Sequence, residues 1–414
     1  MMLSINQPRL IRRLEELGQV GGLEGGGCAR LALTTEDRDG RDLVVSWMRE
    51  LDLAITVDAV GNVIGTRAGR EDGPPVMTGS HIDTVRTGGL YDGNLGVISG
   101  LEVIETLATA GITPRRAMAV GFFTNEEGAR FAPDMLGSLA YVGGMTAEEA
   151  HDVIAIDGAR LGDELAAIGY LGGSPCPGLA PYAFVELHVE QGPVLEAART
   201  RIGVVTGVQG ISWQELTITG RSSHAGTTPM ALRRDPGYVA MELGSFARRL
   251  TNEFGPPQVA TVGRLQLTPN LVNVVPSVAS MTIDLRNTDE PTLQQAEHRF
   301  AERCTQLAAA EHVTIERKVL ARFQPVTFDE RMINLVEGMA TRRKLTTMRM
   351  PSGAGHDAQM MARVCPTSMI FVESVGGISH NVTEFTGADD LGAGANVLLD
   401  VLYHLAEEED PWLA

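Results

Sequence analysis

The chain has 414 residues, of which 43% are apolar, and a formal net charge of −18 at pH 7. Its length predicts two domains, because a single hydrophobic core stops growing at about 250–300 residues. The negative charge argues against nucleic acid and anionic membrane surfaces as partners, since both require a basic face.

The cysteines and the apolar pattern indicate a cytoplasmic protein. The four cysteines lie far apart without a CxxC spacing, which predicts reduced thiols rather than a disulfide framework or a zinc finger. Residues 1–17 carry charges every few positions, unlike a secretory signal peptide. We find no apolar run of about 18 residues, the length that a membrane-spanning helix needs. The cysteines are Cys28, Cys176, Cys304 and Cys365.

The first half of the chain alternates helices with short apolar strands, the pattern of an α/β domain with a mostly parallel sheet. A glycine-rich stretch at 21–27 follows no strand and lacks a GK[ST] sequence, so we interpret it as a flexible loop near the site rather than a phosphate cradle. Thr34 and Asp37 resemble a capping box. The other predicted elements are helices at 7–17, 93–110, 147–156 and 161–168, a hairpin at 55–66, and strands ending at His81, at 117–123 and at 184–189.

The pattern changes near residue 211 and changes back near residue 325. The order β-α-β-β-α-β between them is typical of a ferredoxin-like domain, so we predict a domain at 211–324 inserted into a catalytic domain formed by 1–210 and 325–414. Elements of the insert are expected at 212–220, 236–250, 259–267, 277–286, 291–309 and 313–319, and the α/β pattern resumes with a helix at 332–339, a strand at 367–372 and a helix at 388–405.

A histidine and an aspartate lie one residue apart where an apolar strand ends. His81 and Asp83 face the same side of an extended segment, and Asp92 follows after a glycine turn. Parallel strands present ligands at their carboxyl ends. We therefore expect His81 to bind a metal ion while Asp83 hydrogen-bonds its other ring nitrogen, although a structural histidine is the more frequent explanation of such a pattern.

Further carboxylates and imidazoles follow other strands that are predicted to share this sheet. Glu126 and Glu127 come directly after one strand, where solvated loop charges would be the default. Imidazole and carboxylate ligands suit a borderline divalent ion, with zinc first and manganese or cobalt as alternatives. There are too many ligands for one tetrahedral ion, so we predict two ions bridged by Asp92, with Glu126 unligated beside the water between them. The expected ligands are His81 and His188 on one ion, and Glu127 and His380 on the other.

Six motifs resemble the amidase/hydantoinase–carbamoylase branch of the dinuclear metallopeptidase family, and they occur in the same order over nearly the whole chain. They are GSHIDT with YDGNLGV, NEEGARF, LHVEQGP, SSHAGTTPM and GISHN. The branch includes N-carbamoyl-L-amino acid amidohydrolases, allantoate amidohydrolases and β-ureidopropionases. At the fourth motif His188 stands where peptidases of the wider family usually carry a carboxylate, which favours a carbamoyl or ureido substrate over a peptide.

The resemblance implies the ligand roles given above and a general base. Metal ions held by these ligands would polarise the carbamoyl carbonyl and acidify a water molecule toward a pKa of about 7. Glu126 takes its proton during attack and then protonates the departing amine. The products are an L-amino acid, CO2 and ammonia.

The resemblance also assigns residues of the inserted domain. His224 is expected to reach the active site of the partner subunit in a homodimer and to donate to the oxyanion, whereas a surface histidine is the alternative. Arg286 and Asn273 are expected to bind the substrate carboxylate, Arg286 as a bidentate fork; a salt bridge and a turn residue are the alternatives. Further substrate contacts, or ordinary loop hydrogen bonding, are expected at Gln191, Gly355 and His356.

Together these features predict a homodimeric, dimetal N-carbamoyl-L-amino acid amidohydrolase. The stretch 130–138 looks closer to the carbamoylases, but allantoate amidohydrolase and β-ureidopropionase remain open. A peptidase or aminoacylase is disfavoured by His188. A catalytically silent metal-binding scaffold should have lost the base or a ligand, and Glu126 and all five ligands are present.

Overall fold

A computed structural model describes residues 3–412. The chain forms two compact units, one containing the residues up to Thr206 and from Thr327 onward, the other spanning Gly207–Val326. The helices are α1 (Gln7–Gln19), α2 (Thr35–Glu50), α3 (Asn94–Thr109), α4 (Leu136–Tyr141), α5 (Ala147–His151), α6 (Leu161–Ala167), α7 (Val194–Ala198), α8 (Pro236–Phe254), α9 (Glu290–Glu311), α10 (Glu330–Arg342), α11 (Asp357–Met361) and α12 (Ala388–Glu407).

The strands follow the same order along the chain. They are β1 (Ala54–Val57), β2 (Val63–Arg67), β3 (Val76–His81), β4 (Met118–Phe123), β5 (Ala183–Val189), β6 (Ile202–Val208), β7 (Gly210–Thr219), β8 (Ser223–His224), β9 (Val259–Thr268), β10 (Val274–Val275), β11 (Val278–Asn287), β12 (Thr314–Phe323), β13 (Val326–Thr327), β14 (Thr347–Ser352) and β15 (Thr367–Val372).

The main sheet has a parallel centre and antiparallel margins. Its strand order is β1-β2-β4-β3-β5-β15-β6-β13, with β14 paired to β6. The central strands β4, β3, β5 and β15 run parallel, and their residues are buried throughout. Strands buried on both faces are expected where helices cover both sides of a parallel sheet. Their carboxyl ends therefore meet at one edge.

The second unit has a four-stranded antiparallel sheet in the order β12-β7-β11-β9. Helices α8 and α9 pack on it and share one apolar core with its strands. Along the chain the main elements read β7-α8-β9-β11-α9-β12, which is the split βαβ arrangement. Strands β9 and β12 are the two edges of this sheet.

Most predicted elements are present, and the differences have local causes. The predicted helix at 147–156 ends at His151, since the chain then turns and Ile154 bridges to Arg160. Strand β6 was not predicted, because its two glycines weaken the strand pattern. Gly203 is required there, as an added Cβ would lie 2.8 Å from the Phe371 Cβ. The edge strand β14 was also not predicted.

Two smaller sequence features can be compared with the structure. Thr34 caps α2 by accepting from the Asp37 N–H, but the Asp37 carboxylate accepts from Leu33 N and Arg41, so only half of a capping box forms. The four cysteines are free. Among the described residues, no helix is both long enough and apolar enough to cross a membrane.

Candidate metal centre

The carboxyl edge of the parallel strands gathers the predicted ligands. His81 is the last residue of β3, and His188 lies one residue before the end of β5. The segment after β4 supplies Glu127, and the turn before α3 supplies Asp92. His380 comes from the loop between β15 and α12. These five residues lie at or after the carboxyl ends of β4, β3, β5 and β15, which are consecutive strands of the sheet. This arrangement explains why residues so distant in sequence meet.

Two groups of three donors share Asp92. Within each group the possible ligand atoms all lie within 4.8 Å of one another. In the first group the Asp92 Oδ1 lies 3.7 Å from His81 Nε2 and 3.2 Å from His188 Nε2. In the second group His380 Nε2 lies 3.4 Å from both Asp92 Oδ2 and Glu127 Oε2. Asp92 thus directs one oxygen to each group.

The two buried rings are oriented by main-chain carbonyls. His81 Nδ1 lies 2.9 Å from the Asp83 oxygen, and His188 Nδ1 lies 2.8 Å from the Val189 oxygen. A carbonyl oxygen only accepts, so Nδ1 carries a proton in both rings and Nε2 faces Asp92. Burial lowers the pKa of His81 to about 4, so this ring is neutral near pH 7 and its Nε2 keeps a lone pair.

Asp83 contacts the His81 ring through its main-chain oxygen rather than through its carboxylate. The predicted hydrogen bond to His81 comes from the main-chain oxygen of Asp83, which lies beyond the end of β3. Its carboxylate instead accepts from the main-chain N–H groups of Glu126 and Glu127, at 3.2 and 3.3 Å. Asp83 therefore connects the segment after β3 to the one after β4.

Glu126 lies beside His81 of the first donor group but belongs to neither group. Its Oε2 is 3.3 Å from His81 Nε2, and the residue is 7% exposed. Burial raises the pKa of Glu126 well above its usual range, and nearby carboxylates, Asp357 and Glu127 first among them, raise it further. A carboxylate in this setting has a strong tendency to take up a proton.

The donor set fits divalent cations. Burial raises the pKa of Asp92, but hydrogen bonds with His188 and His380 outweigh it and hold that pKa well below its usual range. Burial lowers the pKa of His188, yet the hydrogen bond and charge of Asp92 raise it to about 9. A proton on His188 thus offsets only part of the negative charge of the carboxylates, since the His81 ring is neutral. Glu127 Oε1 is buried and has no hydrogen-bond partner among residues 3–412, as expected of an oxygen that ligates an ion.

The structure also places the three predicted substrate contacts of this unit. Gln191 has a φ of 58° and donates from Nε2 to Asp92 Oδ2 at 2.9 Å. His356 is buried, with Nε2 2.9 Å from Ser352 Oγ and its ring 4.5 Å from that of His188. An added Cβ on Gly355 would lie 2.9 Å from the Met135 Cε. Gln191 thus contacts the cluster itself, and His356 packs behind it.

Within the second unit, His224 and Asn273 are brought together. Strands β8 and β10 pair His224 with Val274, and Ala225 N donates to the Asn273 oxygen at 2.9 Å. His224 is exposed, and its Nδ1 accepts from the main-chain N–H groups of Gly226 and Thr227.

Arg286 lies on β11 of the same unit. Its Nε and Nη2 donate to the Asp284 carboxylate at 2.9–3.1 Å, and its guanidinium lies 5.7 Å from the centre of the Trp213 ring. The salt bridge that was the structural alternative for Arg286 therefore exists.

Two buried glutamates around the cluster were not predicted as site residues. Glu186 accepts from Ser80 Oγ at 2.6 Å and from Ala358 N at 2.8 Å, and with His188 and His356 it forms a third group of possible ligands. Glu384 accepts from the main-chain N–H of Asp92. Strand alternation put Glu186 on the same face as His188, which was a usable signal, but Glu384 had none beyond its proximity in sequence to His380.

Comparison with known proteins places the chain in a family. Residues 77–404 match the family described as "Peptidase family M20/M25/M40". An N-carbamoyl-L-amino-acid amidohydrolase of Rhizobium meliloti is 39% identical over 404 residues, covering 97% of each chain. An allantoate amidohydrolase of Escherichia coli is 36% identical and covers 94% of this chain and 96% of its own.

A solved structure agrees with this placement. The hydantoinase/carbamoylase family amidase of Burkholderia multivorans superposes with a TM-score of 0.95 at 42% identity, covering 98% of this chain and 99% of its own. Enzymes of the matched family use divalent metal ions, and the donor groups around Asp92 could bind such ions. The chain therefore belongs to the peptidase M20/M25/M40 family, within its hydantoinase/carbamoylase amidases, and is a hydrolase of amide C–N bonds.

Proposed function

We propose that the enzyme hydrolyses the carbamoyl C–N bond of N-carbamoyl-L-amino acids, giving the L-amino acid, CO2 and ammonia. The observation that carries this proposal is the pair of donor groups sharing Asp92, with Glu126 beside them and outside both. The 39% identity to a named N-carbamoyl-L-amino-acid amidohydrolase, over 97% of both chains, supports the choice of substrate.

Five residues would hold two divalent ions, zinc first and manganese or cobalt as alternatives. His81 and His188 would hold one ion, Glu127 and His380 the other, and Asp92 would bridge them. When bound, the ions supply Lewis acidity, which polarises the substrate carbonyl and makes water more acidic. Imidazole with carboxylate is the donor chemistry that zinc prefers, and two ions use five ligands better than one.

Glu126 would move the proton. Its buried carboxylate accepts the proton of the attacking water as the C–O bond forms, and it delivers that proton to the substrate nitrogen as the C–N bond breaks. The amine leaves as the free amino acid, and the remaining carbamate decomposes to CO2 and ammonia. Support comes from the burial that raises the pKa of Glu126, because a base that must later act as an acid needs a pKa nearer neutrality.

His224 would donate a hydrogen bond to the developing oxyanion in the partner subunit's active site. The two main-chain N–H groups that point at its Nδ1 require this nitrogen to be an acceptor, so a proton that the ring donates would lie on Nε2. Homodimers are further supported by edge strand β9, which carries the exposed apolar residues Val259, Val262 and Leu265.

Arg286 and Asn273 would bind the α-carboxylate of the substrate. A guanidinium presents five N–H donors in a planar fork, a geometry that matches a carboxylate. The assignment of both residues, like the predicted substrate contacts of Gln191, Gly355 and His356, rests on the motif resemblance. We also propose a cytoplasmic location, in keeping with four free cysteines.

Allantoate is the second candidate substrate, favoured by the 36% identity to an allantoate amidohydrolase. Both substrates present a ureido group and a carboxylate, so the cluster by itself accommodates either. The pocket that receives the rest of the molecule decides between them.

A substrate panel tests the proposal directly. The protein is stripped of metal, reconstituted separately with Zn, Mn and Co, and assayed for ammonia with N-carbamoyl-L-amino acids, N-carbamoyl-D-amino acids, allantoate and N-carbamoyl-β-alanine. We expect the highest kcat/KM for an N-carbamoyl-L-amino acid. Preference for allantoate or for N-carbamoyl-β-alanine would replace the proposed substrate, and inactivity on all four classes with a metal-loaded protein would refute the proposed reaction.

A further inference from the structure

Glu384 lies buried in the loop that follows His380, and it is 6% exposed. Its Oε1 accepts from the main-chain N–H groups of Tyr91 and Asp92, at 3.2 Å each. The carboxylate therefore holds the main chain at the residue that bridges the two donor groups.

The other oxygen of this carboxylate reaches the second donor group. Glu384 Oε2 lies 3.2 Å from Ser379 Oγ, and the same hydroxyl lies 3.3 Å from Asp92 Oδ2. Ser379 directly precedes His380 in the chain. One carboxylate thus joins two segments that lie almost 300 residues apart, the one with Asp92 and the one with His380.

The surrounding backbone leaves this carboxylate little freedom. An added Cβ on Gly89 would lie 2.1 Å from Glu384 Oε1 and 2.3 Å from its Cδ. Such close approach is possible only where the neighbouring residue has no side chain. Gly89 itself is tied down by its carbonyl oxygen, which accepts from the Cys28 thiol at 3.3 Å. The position of the Glu384 carboxylate is therefore defined from both sides.

We propose that Glu384 is a positioning residue of the metal centre. It fixes the main chain of Asp92 and, through Ser379, the segment carrying His380, so that Asp92 directs Oδ1 to one donor group and Oδ2 to the other. This inference rests on the proposed dinuclear centre. Partners of metal ligands typically change metal affinity or activity 10- to 100-fold when they are removed.

Glu384→Ala and Glu384→Gln separate this role from general packing. We expect Glu384→Ala to bind at least one ion about 10-fold or more weakly, to change the visible absorption of the Co-loaded protein, and to lower kcat. Glu384→Gln should restore all three within a few-fold. Its amide oxygen can still accept from the Tyr91 and Asp92 N–H groups, and its amide nitrogen can donate to Ser379 Oγ.

Glu102→Ala is the matched control, because Glu102 is a fully buried glutamate held by Arg9 and Thr106 outside the metal centre. We expect it to lower the unfolding temperature of the metal-free protein while leaving the metal affinity and the Co spectrum of the folded protein unchanged. Gly89→Ala supplies a second route, since it displaces the Glu384 carboxylate without removing it. It should shift metal affinity and spectrum in the same direction as Glu384→Ala.

Three results would overturn the positioning role of Glu384. If Glu384→Ala or Gly89→Ala binds both ions with the affinity and spectrum of the unmodified protein, the positioning role is wrong and the proposed function stands. If Glu384→Gln is as impaired as Glu384→Ala, hydrogen-bond geometry is not what Glu384 contributes, and the inference is also overturned. If the unmodified protein itself binds no pair of divalent ions, the proposed metal centre fails first and the inference fails with it.

Discussion

Two acidic residues near helix α3 have different positively charged partners. Glu102 lies within the helix, and Asp92 lies just before it. Glu102, in the middle of the helix, is fully buried and accepts from Arg9 at 2.6 and 2.7 Å, from Asn6 N and from Thr106. Asp92, just before the helix, lies with Glu126 and Glu127 in a cluster where, within residues 3–412, the ion pairs of these acids are all with histidines.

The two places differ in the kind of positive charge that faces the buried carboxylates. A carboxylate that only needs to be buried is paired with a permanent cation, as Arg9 pairs with Glu102. At Asp92 the protein supplies imidazoles, whose charge depends on protons, and in the described part of the chain the neighbouring Glu127 Oε1 has no hydrogen-bond partner. Glu102 and Asp92 are both buried, so the deficit of positive charge, rather than burial, marks the candidate metal centre.

Metal removal is the most severe test of this comparison. We expect chelation to abolish activity and to lower the unfolding temperature, because ions that bind only the folded state stabilise it by about 4 kcal/mol at 1,000 times their dissociation constant. Calorimetry and an ammonia assay before and after addition of Zn, Mn or Co measure both effects. Chelator preloaded with metal is the control, and full activity after exhaustive metal removal would show that the charge deficit has another purpose.

Glu126→Gln should separate the base from the ligands around it. The amide keeps the size of the side chain but cannot accept the proton, so we expect kcat to fall about 10²- to 10⁴-fold with both ions retained. Metal content by elemental analysis and single-turnover kinetics measure the two quantities. Loss of an ion would assign Glu126 to the ligands, and unchanged turnover would remove it as the base.

Arg286→Ala tests a third situation, the half-buried ion pair between Arg286 and Asp284. We expect KM for N-carbamoyl-L-amino acids to rise about 10-fold or more with a smaller change in kcat, because a charge-assisted bidentate contact to the substrate is lost. The matched control is Asp284→Asn, which breaks the same ion pair and keeps the guanidinium. Equal losses with substrates that lack the α-carboxylate would contradict a carboxylate-binding role.

Glu102→Ala should have the smallest effect on activity. Removing Glu102 takes the carboxylate partner from Arg9 Nε and Nη2 and from the Asn6 N–H, while Arg9 keeps its ion pair with Glu105. We therefore expect a loss of about 3 kcal/mol in unfolding free energy with kcat and KM unchanged. Denaturant unfolding of the metal-free protein measures the loss. A change in KM or in metal affinity would mean that this pair is coupled to the metal centre and that the comparison is too simple.

Much of the candidate metal centre could be predicted from the sequence. Local patterns specify the order of helices and strands, and parallel strands place their carboxyl ends at one edge of the sheet. The carboxyl ends of three strands had to meet once the strands were assigned to one sheet. These strands end at His81, at Phe123 before Glu126, and near His188. Strand β6 could not be predicted in the same way, since Gly203 is explained by the close approach of Phe371 and Met350 in the folded sheet.

The sequence by itself determined which side chains are available to the site and on which segments they lie. Only the tertiary structure decided which atoms they use: the main-chain oxygen of Asp83 rather than its carboxylate holds His81, and Glu384 contacts Asp92 from a loop far away in the chain. The physical reason is that hydrogen bonds depend on ångström-scale placement of backbone groups, which folding of the whole unit sets and which no local periodicity encodes.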